Sequence, residues 1–313
     1  MKQLLLIGIV TLAACLPARA QQLPLFSQLQ DNADVLNPAA LTANFLRFEH
    51  NVQFVGSYHD QWTQFEGHPR TAALSAGYLV DGFEGVTPHF GVNFVSDQTG
   101  PTGYTGAYAR FAGLISGDPY EGGVSLGLQA GFNQYRINFA DIRLRDEETL
   151  FLEDNRGRLY PDVGAGVFAY KRFRENVYYA GLSSPQLLSL EVGFEGRDSV
   201  LVTERYRHFY GQVGAIIDIA AGGYWEPVVW VRQVPGVPVH LSGSVRYQSD
   251  MSLFVGLGAS SSRALHGEAG VLLGEAAERM VRVGYGFDYT FQGYGQFAGA
   301  THEFHLSYSL YRG

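Results

Sequence analysis

The stretch VRVGYGFDYTF, residues 281–291, alternates strictly between apolar side chains and small or polar ones. Because successive side chains of a β-strand point to opposite faces, this pattern predicts a strand with one apolar and one polar face. The apolar set is Val281, Val283, Tyr285, Phe287, Tyr289 and Phe291, and the polar or small set is Arg282, Gly284, Gly286, Asp288 and Thr290. The stretch exceeds the five or six residues or so that are common in soluble proteins and matches the roughly nine to eleven that a tilted strand needs to cross a bilayer. We therefore expect its apolar face to meet lipid and its polar face to line a lumen.

The same alternation recurs along most of the chain. Strands read from the alternation, with ends at Gly, Pro, Asp and Asn clusters, number about fourteen. They lie near 44–58, 67–80, 88–97, 102–115, 121–137, 162–171, 176–184, 204–219, 224–232, 237–248, 251–259, 265–274, 279–291 and 301–311. After residue 20 the sequence has no apolar run of the roughly 18 residues that a spanning helix needs, and a sheet in lipid cannot leave an edge open. The sequence thus predicts an all-β fold, a closed transmembrane antiparallel β-barrel of the bacterial outer-membrane type.

The connections between these strands predict an orientation. An even strand count returns both termini to one side of the membrane, and we expect the N-terminus to be periplasmic. The two longest connections, 138–161 and 185–203, then both lie outside, whereas short turns such as 249–250 lie in the periplasm. Long outer loops and short inner turns are typical of bacterial barrels.

Aromatic residues near the predicted strand ends suggest interfacial girdles, where an amphipathic ring is stable at headgroup level. Ordinary β-propensity also favours these residues and remains an alternative. The candidates are Tyr58, Trp62, Tyr78, Tyr104, Tyr108, Tyr120, Tyr135, Tyr178, Tyr179, Tyr224, Trp225 and Tyr311.

The chain begins with a stretch that is typical of a secretory signal. Residues 1–20 have a positive start at Lys2, an apolar middle and a small-residue cleavage site that ends at Ala20. A lipoprotein signal with Cys15, the only cysteine, is the alternative. Residues 21–43 do not alternate, and we expect a separate lead-in segment, in the periplasm or in the lumen, before a barrel over 44–313. Such a segment is a candidate plug.

The charge balance argues against a nucleic-acid partner. The chain has 22 Lys and Arg residues against 30 Asp and Glu residues, a formal net charge of -8, and no basic run. A phosphate backbone is bound by clustered cations that release counterions, and this sequence offers no such cluster.

The sequence gives little support for catalysis or for a bound cofactor. The stretch THEFH, 301–305, lacks the spacing of a zinc motif, and on a strand His302 and His305 face opposite sides. Only Glu303 and His305 share a face, so we expect no metal and interpret the two as a lumen pair bonded to neighbouring strands. Residue types for a hydrolase occur on other strands, but types alone do not establish their geometry, and we predict no enzyme activity and no cofactor. Those residues are His208, His240, Ser242, His266 and Glu268.

Four ordered pieces of the sequence carry a resemblance to a known family. The opening QQLPLFSQLQDNADVLNPA (21–39), the stretch HDQWTQFEGHPRTAALS (59–75), YAGLSSPQL (179–187) and THEFHLSY (301–308) resemble the type IX secretion system membrane proteins of the PorP/SprF family. The pieces occur in family order over nearly the whole mature chain. The sequence departs from the usual pattern at Leu29, at Leu41-Thr42 and at His59-Asp60, which leaves the particular partner open.

The resemblance implies an outer-membrane barrel that serves export or surface anchoring of secreted proteins. It implies outer-membrane lipid, other type IX components and a secreted cargo protein as partners. An outer-membrane channel for small solutes is the alternative, and an aqueous path or a plug in the lumen would decide between them. The family-motif or possible partner-binding residues are Phe26, Ser27, Gln28, Asn37, Pro38, Ala39, Gln61, Trp62, Gly67, Pro69, His302 and Glu303.

Overall fold

A computed structural model describes residues 26–80, 85–138, 155–189, 191–195, 200–220, 222–250, 252–275, 278–291 and 295–312. The predicted signal, 1–20, lies outside the described residues, as does most of the predicted connection 138–161. Within the described part, none of the helices has both the length and the apolar character to cross a membrane.

The chain forms a closed barrel of fourteen antiparallel strands, as predicted. Each barrel strand pairs with the next along the chain, and β1 pairs with β16 to close the ring. The barrel strands are β1 (Val52–Asp60), β2 (Arg70–Leu79), β3 (Gly85–Thr99), β4 (Thr102–Asp118), β5 (Gly122–Ile137), β6 (Asn155–Phe173), β7 (Asn176–Gln186), β10 (His208–Asp218), β11 (Tyr224–Gln233), β12 (His240–Gln248), β13 (Leu253–Ser260), β14 (Ala264–Glu275), β15 (Arg279–Thr290) and β16 (Thr301–Leu310). Outside the ring, β8 (Glu191–Glu195) and β9 (Val200–Glu204) form a separate hairpin. Three short helices complete the list: α1 (Ala33–Leu36), α2 (Ala43–Phe48) and α3 (Gly295–Ala298).

The two faces of β15 have the polarity that its sequence predicts. Phe287 is 39% exposed on the outer face, whereas Arg282 is 2% exposed and points into the lumen. The other barrel strands repeat this parity, with exposed apolar side chains outside and buried polar ones inside. The outer face therefore has the apolar character that contact with lipid requires.

The predicted first strand, 44–58, is wrong in its first part. Residues 43–48 form α2, and β1 begins only at Val52. The Thr42 hydroxyl caps the helix by accepting from the Phe45 N–H at 3.4 Å, and Glu49 ends it in a left-handed conformation with φ of 61°. Apolar Leu46 and Phe48, two positions apart, resemble the alternation of a strand, but they belong to this helix, and Leu46 is buried inside the barrel.

The two long predicted connections also contain structure. β6 begins at Asn155, which pairs with Ile137, so strand replaces the end of the predicted connection 138–161. The predicted connection 185–203 contains the β8–β9 hairpin. Strand residues beyond the bilayer contact water on both faces, so apolar and polar side chains need not alternate there. The alternation that identifies membrane strands therefore misses them.

The girdle prediction is wrong for five of its aromatic residues, one of which is Tyr135, the cross-strand partner of Tyr104 on the lumen face. Tyr104, Tyr108, Tyr179 and Tyr224 are buried inside the barrel, each less than a tenth exposed. Adjacent strand residues face opposite sides, so Tyr178 and Tyr179 cannot both face outward. Exposed positions are occupied by Tyr58, Tyr78, Tyr178, Trp225 and Tyr311.

Residues 26–51, which we call the lead-in segment, run through the lumen. We call the end of the barrel where β1 begins and β16 finishes the terminal end, and the opposite end the loop end. Phe26 lies beside Val95, Tyr104 and Gln186, close to the loop end, whereas His50 bonds Ser309 at the terminal end. The first and last barrel strands thus share one end, whereas the start of the described chain lies at the other, so the prediction that both termini lie on one side holds for the barrel strands alone.

Candidate functional site

The start of the lead-in segment is held by Glu303 of β16. This carboxylate is fully buried and accepts the backbone N–H groups of Ser27 and Gln28 at 2.5 and 3.2 Å. It also accepts the Asn32 side-chain amide at 3.3 Å, and His59 Nδ1 of β1 lies 2.9 Å away. Because His59 and Glu303 lie on the two strands that close the ring, the segment is anchored at the seam of the barrel.

Asp31 forms the strongest ionic contact between the segment and the wall. Arg246 of β12 donates to both of its carboxylate oxygens at 3.1 and 2.6 Å, and also binds Glu268 of β14 at 2.8 and 2.9 Å. Arg282 Nη1 also lies 3.8 Å from the Asp31 carboxylate, so two guanidinium groups face it. Asp31 is therefore an anion inside the barrel.

Asp34 forms a second ion pair on the opposite wall. Its carboxylate lies 3.0 Å from Arg110 of β4, and its backbone carbonyl accepts from the Asn93 side chain at 3.1 Å. Both charged residues are at most 5% exposed. The segment is thus bonded to β4 and to β12 within a few residues, and it bridges the lumen from side to side.

The next residues, Asn37-Pro38-Ala39, fit against glycines of β5 and β6. A Cβ atom on Gly127 would lie 2.5 Å from the carbonyl carbon of Pro38 and from the backbone nitrogen of Ala39, and one on Gly166 would overlap Asn37 Oδ1. The Asn37 side chain accepts the Ala39 N–H at 3.0 Å and donates to a β6 carbonyl at 3.2 Å. Only glycine allows the backbone of the segment to approach the wall this closely. We call these glycines, Gly127 and Gly166, the glycine cradle.

The segment leaves the lumen at the terminal end through further polar contacts. Arg47 lies 3.1 Å from Asp218 of β10, and His50 Nδ1 lies 2.8 Å from the Ser309 hydroxyl of β16. Bonds at both ends and along its course therefore hold the segment across the lumen.

The loop between β1 and β2 forms part of the rim at the loop end. The Gln61 N–H donates to the Pro69 carbonyl at 2.9 Å, which closes the loop at its base. Gly67 has φ of 72°, a conformation that favours glycine, and its carbonyl accepts from Gly100 of the next turn at 2.7 Å. These three predicted residues shape the rim and lie away from the lead-in segment.

Trp62 lies in the rim loop and His302 on the outer face of β16, whereas Glu303 faces the lumen. The Trp62 N–H donates to the Thr301 hydroxyl at 3.3 Å, which ties the rim loop to β16. His302 is on the outer face, where its Nδ1 lies 2.7 Å from the Tyr285 hydroxyl. Glu303 points inward, as the strand parity predicts, and its contact with His59 confirms the interpretation of a lumen carboxylate bonded to a neighbouring strand.

The predicted site residues of the lead-in segment thus pack against the barrel wall and are shielded from solvent. Phe26, Gln28, Asn37 and Ala39 are at most 7% exposed, so a partner could contact them only if the segment left the lumen. Their role in binding a partner stays a prediction. Sequence reasoning missed the acidic residues of the segment and their arginine partners. The available signal was an arginine at a strand position whose side chain faces the lumen. The missed residues are Asp31, Asp34, Arg110 and Arg246.

The lumen face of β12 to β15 is polar and becomes partly exposed toward the loop end. Lumen-facing side chains near the loop end of these strands are half-exposed, whereas deeper ones such as Arg246 and Arg282 are buried. We call this partly exposed polar surface the vestibule; it faces the loop end, and the lead-in segment reaches it where the Gln30 side chain donates to the Ser244 hydroxyl at 2.8 Å. It is formed by Ser242, Ser244, Ser260, His266 and Thr290.

The polar cluster around Ser27 does not have the geometry of a hydrolase. His59 Nδ1 lies 3.4 Å from the Ser27 hydroxyl and 2.9 Å from Glu303, so one ring nitrogen faces both groups. A nucleophile relay uses the two nitrogens separately, and here the Ser27 hydroxyl donates to Asp288 instead. Among the described residues, no group of three or more His, Cys, Asp or Glu side chains is arranged to hold a metal ion.

A comparison of the sequence with known protein families agrees with the barrel fold and with the motif residues. The family described as type IX secretion system membrane protein PorP/SprF matches residues 18–308. The chain belongs to this family. The PorP/SprF assignment confirms the resemblance drawn from the four sequence pieces. None of the curated proteins matches the chain.

Solved outer-membrane barrels share the fold of this PorP/SprF protein. A deletion mutant of TodX, described as a monoaromatic hydrocarbon channel, is similar with a TM-score of 0.54 and 10% identity, over 90% of this chain and 94% of that chain. The toluene transporter TodX of Pseudomonas putida is similar with a TM-score of 0.53 and 8% identity, over 89% and 93%. At such identities the likeness establishes the fold alone, an outer-membrane type of barrel.

Proposed function

We propose that this PorP/SprF protein supports export or cell-surface anchoring of secreted proteins as a barrel whose lumen is closed by its own lead-in segment. The family assignment supports a role in type IX secretion, and the path of the lead-in segment supports a closed lumen. A secreted cargo protein and other type IX components then bind at the rim and the long loops of the loop end, and the outer face contacts outer-membrane lipid.

The observation that carries this proposal is that the lead-in segment is bonded along its whole course. Glu303, Arg246 and Arg110 hold it at three heights and on different strands. An open pore for solutes needs a continuous water path, and a segment bonded to opposite walls narrows that path. A component that presents its loops to polypeptides needs no such path.

We further propose that the loop end is extracellular and the terminal end periplasmic. The β8–β9 hairpin and the connection 139–154 both belong to the loop end, and bacterial barrels carry long loops outside. A protease site inserted at 196–199 is expected to be cut in intact cells, whereas one at 249–250 is expected to resist. The reverse pattern would contradict this orientation.

Surface proteomics of a strain that lacks the gene tests the proposed role. We expect specific secreted proteins to disappear from the cell surface and to return with the wild-type gene. Phe65→Ala changes an exposed ring in the rim loop and is expected to impair their display; Phe173→Ala changes an exposed ring at the terminal end and serves as the matched control. An unchanged set of surface proteins in the deletion strain would contradict the proposal.

A channel for small solutes is the second candidate, and the vestibule is the observation that favours it. Its polar, half-exposed lining could be the outer part of a water path. Purified protein in planar bilayers distinguishes the two roles. We expect little steady conductance from the wild-type barrel, and large solute-selective conductance would favour the channel.

A further inference from the structure

Arg232 of β11 differs from the other buried arginines of the barrel. It is 8% exposed and has lumen parity, yet none of the carboxylates whose side chains the structure describes lies within 4.0 Å of its guanidinium. The remaining buried arginines of that part each face an acid within this distance: Arg110, Arg205, Arg246 and Arg282. A buried cation without a counterion is costly, so this position calls for an anion.

The neighbours of Arg232 are hydrogen-bond donors or neutral rings. Tyr210 of β10 and His240 of β12 are its direct cross-strand partners, and the Tyr210 hydroxyl faces the guanidinium as a neutral hydrogen-bond partner. One position deeper on the lumen face, the Trp230 Nε1–H and the Gln212 amide nitrogen are buried and have no hydrogen-bond partner within the described chain. Unpartnered buried donors beside an unpaired cation form a surface that matches the acceptor oxygens of an anion.

The position of Arg232 gives an anion a route to it. Its partner His240 is half-exposed at the loop end, and Ser242 and Ser244 follow along the same lumen face of β12. These serines belong to the vestibule, which faces the loop end. We expect an anion to approach Arg232 from the side of the long loops, past His240 and Ser242; Ser244, one step deeper, is bonded to Gln30 of the lead-in segment.

We propose that Arg232 binds the carboxylate group of an anion that enters through the vestibule. The planar guanidinium matches such a group with two parallel hydrogen bonds, and Trp230 and Gln212 supply further donors. The carboxylate is either a free small anion or the end of a polypeptide chain. This inference goes beyond the proposed function, because the site would serve a barrel that anchors proteins and one that admits solutes.

Titration of the purified full-length protein in detergent with sodium acetate tests the proposal by calorimetry. We expect saturable binding at constant ionic strength, weakened at least about tenfold in Arg232→Gln, as the loss of a charge-assisted bond predicts. Arg207→Gln removes an exposed arginine just before β10 and is the matched control, with binding unchanged. The absence of saturable binding, or equal binding by wild type and Arg232→Gln, would overturn the proposal.

A short polyalanine peptide identifies the source of the carboxylate. Tighter binding of the free acid than of acetate and of the C-terminal amide supports a polypeptide end, whereas no gain over acetate supports a free anion. The folding of Arg232→Gln gives an independent readout. Because the proposal leaves Arg232 unpaired in the protein alone, we expect the variant to unfold at the same or a higher temperature. A marked loss of stability without anion would overturn the proposal, since it would reveal a structural partner.

Discussion

Asp31 and Asp34 show how single residues fix the position of the lead-in segment. The two carboxylates are three positions apart and face arginines on different walls, Arg246 and Arg110. A buried ion pair adds little net stability compared with apolar packing, but breaking one leaves an uncompensated charge. A shift of the segment by one residue would break both pairs, so these charges specify its register.

Arg246→Met is expected to destabilise the barrel by about 3 to 5 kcal/mol, because it removes the closest cation from two buried carboxylates and leaves them only the longer contacts, Asp31 with Arg282 at 3.8 Å and Glu268 with His266 at 3.7 Å. The free energy of unfolding in urea and detergent measures this loss. Arg232→Gln is the matched control, since that arginine has no acidic partner among the described residues. Equal effects of the two changes would contradict the assigned pairing.

At the scale of elements, the lead-in segment is fitted to the wall through the glycine cradle. The motif Asn37-Pro38-Ala39 has no alternation and little apolar area, so its own residues do not explain where it lies. The explanation is in β5 and β6, which place Gly127 and Gly166 on the lumen face beneath it. Segment and strands therefore form one packed unit.

Gly127→Ala is expected to cost about 1 to 3 kcal/mol, the usual range for overpacking, because the new methyl group meets backbone of Pro38 and Ala39. The temperature at which the folded barrel band is lost on an unheated detergent gel measures the effect. Gly243→Ala is the matched control, since a Cβ at that position has no neighbour closer than 4.0 Å. Equal melting of the two variants would count against the close packing.

The elements that the sequence predicts well are the strands that contact lipid on one face and the polar lumen on the other. Alternation in β15 is visible because lipid and lumen select different side chains at each position, and the count of fourteen strands follows from the same rule. α2 and the strand extensions beyond the bilayer lack that contrast, so they were mistaken for strand and loop. Tyr104 and Tyr179 were mistaken for girdle residues because residue type does not reveal parity.

The site was less predictable because its contacts join residues that are far apart in the chain. The motif residues from Phe26 to Ala39 were found by resemblance, and Glu303 by its lumen parity. Their contacts could not be read from spacing, since Glu303 and Ser27 are 276 residues apart. Arg232 was not found, because an unpaired charge is defined by what surrounds it in the fold.

For the whole molecule, the central claim is that the lead-in segment fills the lumen and crosses it from the loop end to the terminal end. The barrel strands alone would enclose a wide space, and both the closed lumen and the role of the loop end depend on this claim. A covalent bond between the segment and the wall tests it directly, because the glycine cradle lies in the membrane-spanning part.

The test combines Asn37→Cys with Gly166→Cys in a protein that also carries a protease site within 146–154. A Cβ on Gly166 would lie 3.0 Å from Asn37 Cγ, so the two Cβ atoms are at most one carbon–carbon bond further apart, which agrees with the Cβ separation of about 3.5 to 4.5 Å in a disulfide. After oxidation of intact membranes, cleavage and boiling in detergent, the two fragments should stay joined until reductant is added. Asn37→Cys with Gly211→Cys, on the outer face of β10, is the control and should give separate fragments. Separate fragments from the Asn37 and Gly166 pair as well would contradict the placement of the lead-in segment in the lumen.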